Sequence, residues 1–365
     1  MEDTRSIYLD YNSSSVVRPQ VINALVEAHE NLNASSIHQF GTESRKRINT
    51  AREIIAQSIN ADSSGLIFTS GATEANVSII KNSRRRLVIS AIEHDSVLIP
   101  ASERGDVEYI KSDEKGLISI KSLESILEKN EGPYLISTML VNNETGVIQP
   151  VEQIVQIAHK KNALVHCDAV QGFGKIPINI NKLGVDYATF SAHKVGGPQG
   201  IGALWVKPGI EFEPLIKGGS QENFRRAGTE NISGIIGFAE AVKCFSLEET
   251  KNILFLRSQL EKGLMKIAPI HIFGYKQHRI PNTVYFGNNK VSKEVQLVSL
   301  DLSGIGVSSG SACSSGKVGN SHVLEAMNID TKIMSSAIRV SLGWATKENE
   351  IDYFISKWSE IYLNN

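Results

Sequence analysis

Lys194 closes the run Ser191-Ala192-His193-Lys194 and opens onto the glycine-rich stretch Gly196-Gly197-Pro198-Gln199-Gly200-Ile201-Gly202. A lysine among such small neighbours can approach an aldehyde without steric cost. To be nucleophilic it must be partly desolvated, since its free pKa is about 10.4. Upstream, Asp168 ends the apolar run Ala163-Leu164-Val165-His166-Cys167. A carboxylate at the rim of a buried strand needs a positive partner, because burying an unpaired charge is costly. A pyridinium N–H would supply one. Together the two residues point to pyridoxal phosphate (PLP), with Lys194 as the Schiff-base lysine and Asp168 keeping the ring nitrogen protonated. An ion pair or a helix cap is the plainer alternative for Asp168.

Other side chains suit the same cofactor. Ser70-Gly71-Ala72-Thr73-Glu74 joins a strand to a helix, so main-chain N–H groups at Ala72 and the Thr73 hydroxyl suit a phosphate. Ser191 and His193 can reach a phosphate from the lysine turn, and Thr229 can from the basic turn around Arg225 and Arg226. His94, just after a strand, could stack on a ring and move protons. Asn143, in Asn142-Asn143-Glu144-Thr145-Gly146, could address a phenolic oxygen, as could Gln171. Ordinary turn and capping chemistry explains each of these taken singly. Arg339 interrupts the strand-like Ala337-Ile338-Arg339-Val340-Ser341, where an inward arginine would clamp a carboxylate and an outward one would face solvent. Small residues from Ser308 to Gly316 surround Cys313. This composition buries nothing and predicts an exposed thiol, either an accident or a nucleophile. The stretch misses the P-loop pattern, because its glycines are spaced one residue too far apart and Val318 follows Lys317.

Short apolar strands alternating with helices must position these loops. Strands are expected at 7–9, 66–69, 87–90, 134–141, 163–167, 186–190 and 202–206. Helices are expected at 19–32, 42–60, 71–81, near 94 and from 151. The pattern is an α/β domain with a mostly parallel sheet, whose carboxyl ends carry ligands. Residues 232–268 are mainly helical with a break near Ser246. Strands at 282–287 and 338–342, with helices near 292–300 and 347–362, then mark a smaller α+β domain. The expected division is 13–255 for the large PLP-binding domain, with 1–12 and 256–365 forming the small one.

The chain of 365 residues has a net charge of −1, so its totals give no argument for nucleic-acid or membrane binding. No apolar run reaches the roughly 20 residues that span a bilayer, and the acidic start lacks a signal core. A cytoplasmic protein is expected. Three cysteines without CxxC spacing, and nine histidines without HExxH, predict no disulfide framework and no metal site.

Taken in order, these motifs resemble the cysteine desulfurases of the NifS/IscS type, within the class V aminotransferase-like PLP enzymes. The resemblance runs from Tyr8-Leu9-Asp10-Tyr11-Asn12 through Thr69-Ser70-Gly71-Ala72-Thr73-Glu74, Glu93-His94, Asp168-Ala169-Val170-Gln171, Ser191-Ala192-His193-Lys194 and Gly310-Ser311-Ala312-Cys313 to Ile338-Arg339-Val340-Ser341-Leu342-Gly343. It implies fold type I with a seven-stranded sheet, and conversion of L-cysteine to L-alanine with the sulfur held as a persulfide on Cys313. It assigns the internal Schiff base to Lys194, the pyridine nitrogen to Asp168, ring stacking to His94 and the ring oxygen to Gln171 and Asn143. Phosphate falls to Thr73, Ser191 and His193, with Thr229 donated across a homodimer. Arg339 and Asn33 match the positions that hold the substrate carboxylate. The implied partner is a sulfur acceptor, either an iron–sulfur scaffold or a carrier for tRNA thiolation. A selenocysteine lyase or a small-molecule aminotransferase shares the fold, and a catalytically weak paralogue kept as a binding partner is the non-enzymatic alternative. The chain departs from the family at Tyr11-Asn12-Ser13-Ser14-Ser15, at Gln199 and at Trp344, and it ends soon after Trp358.

Overall fold

The computed structural model describes residues 6–129, 132–310 and 320–365. Among the described residues the strands are β1 (Ile7–Tyr8), β2 (Leu66–Thr69), β3 (Arg86–Ser90), β4 (Val107–Ile110), β5 (Tyr134–Met139), β6 (Leu164–Asp168), β7 (Tyr187–Ser191), β8 (Gly202–Val206), β9 (His271–Ile272), β10 (Thr283–Gly287), β11 (Ile305–Gly306) and β12 (Ile338–Ser341). Seven of them form one sheet in the order β2-β8-β7-β6-β5-β3-β4. Only β8 runs against its neighbours, pairing antiparallel with both β2 and β7. Strands β2, β5, β7 and β8 are buried at every position. Helices cover both faces of such a sheet, so its strands read as continuous apolar runs instead of alternating ones.

The edge strand β4 was not expected from the sequence. Val107-Glu108-Tyr109-Ile110 is buried only at Ile110, and its polar, half-exposed pattern suits a sheet edge.

A second core gathers Ile7 and Leu9 with Leu256, Leu260, Phe286, Val340, Phe354 and Trp358. Around it lie the antiparallel sheet β12-β10-β9 and the parallel pair β1-β11. Trp358 is almost fully buried and donates its indole N–H to Gln296 Oε1 at 2.9 Å. The helix Leu247–Ile267 begins at Ser246, whose hydroxyl accepts from Glu248 N at 3.2 Å, and it runs unbroken through position 255. Ile253 already belongs to the second core. Dividing the chain at the turn 244–246, instead of at 255, keeps that helix whole; we adopt this boundary as a proposal.

The loops after β2, β3, β5, β6 and β7 leave the sheet at one edge, where the chain also enters β8. The approach there is close. A Cβ built on Gly202 would sit 2.8 Å from Gly71 Cα and 2.7 Å from its carbonyl carbon. Only glycine at the start of β8 lets the turn before the helix Ala72–Asn82 come this near.

Gly202→Val is therefore expected to lower stability by about 1–3 kcal/mol through overpacking, read as a fall of several degrees in the thermal midpoint. An unchanged midpoint would mean the Gly71 turn yields freely.

Candidate active site

A cavity of about 580 Å³ opens at this edge. Ala72, Thr73, His94, Asn143, Asp168, Gln171, Ser191, His193, Lys194 and Arg339, each singled out in the sequence, all line it. Asn33 and Thr229 do not. Asn33 is exposed, and its Oδ1 accepts from Ser35 N at 2.8 Å, so within one chain it stands apart from the cavity. Thr229 is likewise exposed. Cys313 lies outside the described residues, while Ser308 and Gly310, just before it, reach the cavity wall.

Lys194 ends a short 3-10 turn directly after β7. Its Nζ donates to the main-chain oxygens of Asn12 at 2.8 Å and Ser13 at 2.6 Å. Burial, followed by the Arg339 charge, pulls its pKa down to about 8, against the opposing pull of Asp10 and Asp168. A substantial part of the amine is then neutral near physiological pH.

Asp168 ends β6. Its Oδ1 accepts from Val170 N at 3.0 Å and its Oδ2 from the Asn76 amide at 2.9 Å. Both donors are neutral, and among the described residues no basic side chain forms an ion pair with it. Glu93, deep behind the site, accepts from Met139 N at 2.7 Å. Burial, then the Asp168 charge, raises its pKa to about 8, so it holds its proton at neutrality and does not oppose Asp168.

His94 caps the helix Asp95–Arg104: its Nδ1 accepts from Ser96 N at 3.1 Å and lies 2.9 Å from Ser96 Oγ. Burial lowers its pKa, partly offset by Asp168. At Gln171, Oε1 accepts from Lys175 Nζ at 2.6 Å and Nε2 donates to Asn12 O at 2.9 Å. One amide hydrogen of Gln171 is left for a ring oxygen. Asn142 Oδ1 takes the N–H groups of Glu144 and Thr145 at 3.0 and 2.9 Å, which fixes the turn that carries Asn143.

Where the cavity meets the helix Ala72–Asn82, that helix has no side-chain cap on its first N–H groups. His193 Nδ1 lies 3.3 Å from Ser14 Oγ. Burial, then the charges of Lys194 and Lys175, lowers its pKa to about 4. His193 therefore faces the cavity as a neutral hydrogen-bonding group and not as a cation. Arg226 pairs with Glu74 through contacts of 3.0 and 3.2 Å.

Arg339, on β12, is buried instead of surface-facing. Its Nη2 donates to Asp10 Oδ1 at 2.7 Å and its Nη1 to Asn143 O at 3.0 Å. Its Nε is buried without a partner. A substrate carboxylate would share the guanidinium with Asp10.

The sequence reading missed Asn12 as an individual residue. Its amide nitrogen donates to Thr283 Oγ1 at 2.8 Å and Asn143 O at 3.1 Å. Its Oδ1 accepts from Lys175 Nζ at 2.9 Å and from the Asn282 amide at 3.0 Å. Trp344 packs just beyond this segment: it donates to Val16 O at 2.8 Å and lies under Arg18, 5.3 Å from the ring centre.

The donor set fits PLP. The cavity wall holds a nucleophilic amine, a carboxylate with only neutral donors, and Asn143 Oδ1, which is buried without a partner. It also holds uncapped helix N–H groups beside Gly71, where a Cβ would meet nothing within 4 Å.

The sequence profile of the aminotransferase class-V family matches residues 7–354. Cysteine desulfurase IscS of Dictyoglomus turgidum is 40% identical over 96% of this chain and 92% of its own length. Cysteine desulfurase 2 of Trichormus variabilis is 38% identical over 95% and 90%. The X-ray structure of a NifS-like protein from Rickettsia africae superposes with a TM-score of 0.93 at 35% identity, covering 98% of this chain and 99% of that one. SspA, solved in complex with cysteine, gives 0.81 at 30% identity, over 92% of this chain and 99% of that one.

The state of Lys194 sets a pH dependence. A neutral amine reacts with an aldehyde and an ammonium does not, so covalent uptake of PLP is expected to quicken as pH rises and to level off above about 8. Stopped-flow absorbance from pH 6 to 10 checks this, and a midpoint near that of a free lysine would contradict the burial argument.

Proposed function

The chain belongs to the aminotransferase class-V family, and from that premise we propose that it is a PLP-dependent cysteine desulfurase. It converts L-cysteine to L-alanine and carries the sulfur as a persulfide on Cys313, for iron–sulfur cluster assembly or tRNA thiolation. The observation that carries this reading is the pairing, across one cavity, of Lys194 at a pKa of about 8 with an Asp168 carboxylate that has only neutral donors. The overall change balances: cysteine and the Cys313 thiol become alanine and the Cys313 persulfide, with no outside oxidant.

PLP, when bound, supplies an electron sink for the charge left on the substrate α-carbon. Lys194 holds the cofactor and, when released, has the carbonyls of Asn12 and Ser13 to receive its amine. Its depressed pKa suits it to taking and returning a proton at Nζ. Asp168 would hold a proton on the ring nitrogen, and neutral Glu93 leaves the carboxylate unopposed. His94 would face the ring, while Gln171 and Asn143 would address its oxygen. Ala72, Thr73, Ser191 and neutral His193 would bind phosphate. Arg339 orients the substrate carboxylate, with Asn33 assigned to the same group by family resemblance. Thr229 and Asn33, both exposed and away from their own chain's cavity, suit delivery to the site of a second copy in a homodimer.

The sulfur acceptor is a scaffold or carrier protein. Cys167 and Cys244 are free thiols, which fits a cytoplasmic location. No helix among the described residues is long and apolar enough to cross a membrane.

Purified protein given L-cysteine is expected to release equal amounts of alanine and transferable sulfur. Cys313→Ala should keep the visible absorbance of bound cofactor and lose the persulfide. Equal sulfide from both proteins would remove Cys313 from the mechanism, and unaltered transamination would favour an aminotransferase. Lys194→Ala should hold no cofactor that borohydride can fix to the protein; a fixed adduct would refute the lysine assignment.

A further inference from the structure

Asn76 lies in the first turns of the helix Ala72–Asn82 and is completely buried. Its amide nitrogen donates to Asp168 Oδ2 and to Ser96 Oγ, each at 2.9 Å. Both amide hydrogens are then used. Ser96 Oγ, having accepted one of them, has its own hydrogen left to give, and it lies 2.9 Å from His94 Nδ1. The main-chain N–H of Ser96 reaches the same Nδ1 at 3.1 Å. An N–H can only donate, so Nδ1 is an acceptor and the hydrogen of a neutral His94 sits on Nε2. His94 lines the cavity, so Nε2 is the ring nitrogen left for it.

We infer that Asn76 is a positioning residue. Its single amide holds the Asp168 carboxylate on one side and the Ser96 hydroxyl on the other. Nδ1 of His94 accepts from the Ser96 main-chain N–H, so the Ser96 hydroxyl donates to it as well. Without Asn76 the main-chain N–H still keeps Nδ1 an acceptor, while the Ser96 hydroxyl and Asp168 Oδ2 each lose the donor that fixes them. The Asp168 arm rests on the PLP reading; the tautomer of His94 does not.

Two measurements on the full chain test this. The first is long-range nitrogen–proton NMR of histidine-labelled protein without cofactor, above pH 7. Wild type should show His94 with its hydrogen on Nε2 alone. Asn76→Leu should keep that form, because the Ser96 main-chain N–H remains, so the variant isolates the Asp168 arm. The second is PLP affinity, which should weaken about threefold or more in Asn76→Leu, because Asp168 Oδ2 has lost the donor that orients it. Wild-type His94 protonated on Nδ1 would overturn the proposal, and so would a folded Asn76→Leu protein that binds PLP within threefold of wild type. If the variant does not fold, Asn76→Ala replaces it and is read the same way. If wild type takes up no PLP, the functional reading fails while the tautomer result stands.

Discussion

Lys175, Lys194 and Arg339 sit close together: beyond burial, the charges of Lys194 and Arg339 lower the pKa of Lys175, and that of Arg339 lowers the pKa of Lys194. Such a cluster is tolerable only if something solvates it. The segment from Asp10 to Ser13 does so. Asp10 takes the Arg339 charge directly, the carbonyls of Asn12 and Ser13 receive Lys194, and the Asn12 side chain receives Lys175. All but one of these acceptors are neutral, so Lys194 stays near the point of losing a proton and the pKa of Lys175 stays well below that of a free lysine. More carboxylates would have raised their pKa values and removed the nucleophile.

The parallel sheet explains why Asp168 and Lys194 meet. Strands β6 and β7 are adjacent and parallel, with Asp168 paired to Thr189 two residues before Ser191. Their ends deliver the carboxylate and the lysine turn to the same edge. The buried β2, running alongside β8, brings the uncapped helix start to that edge as well. One wall of the cavity is thus built by sheet register, and the opposite wall by β12 and the N-terminal segment of the second core.

Much of this was legible in the sequence, because glycine-rich turns after apolar strands mark ligand loops whatever the ligand. Lys194, Asp168, His94 and the Gly71 turn carried that signal. The supporting polar residues were harder to see. Asn76 reads as an ordinary helix position, yet it lies one turn before Ile80 and beside Ala75, both fully buried, which marks its face as inward. Lys175 follows Gln171 by four residues, a spacing that could have suggested their contact. Asn12 offered no local cue, since its partners at 143, 175, 282 and 283 are all distant in sequence. The edge strand β4 was missed because four mixed residues show no period.

The pairing of β1 with β11, and of Asp10 with Ser341, has a consequence for biosynthesis. Residues 7–10 are made long before these partners. Until then β1 has no strand to join, while the seven-stranded sheet, whose strands all lie between Leu66 and Val206, can already assemble. The cavity wall that holds Arg339 is therefore completed after the wall that holds Lys194.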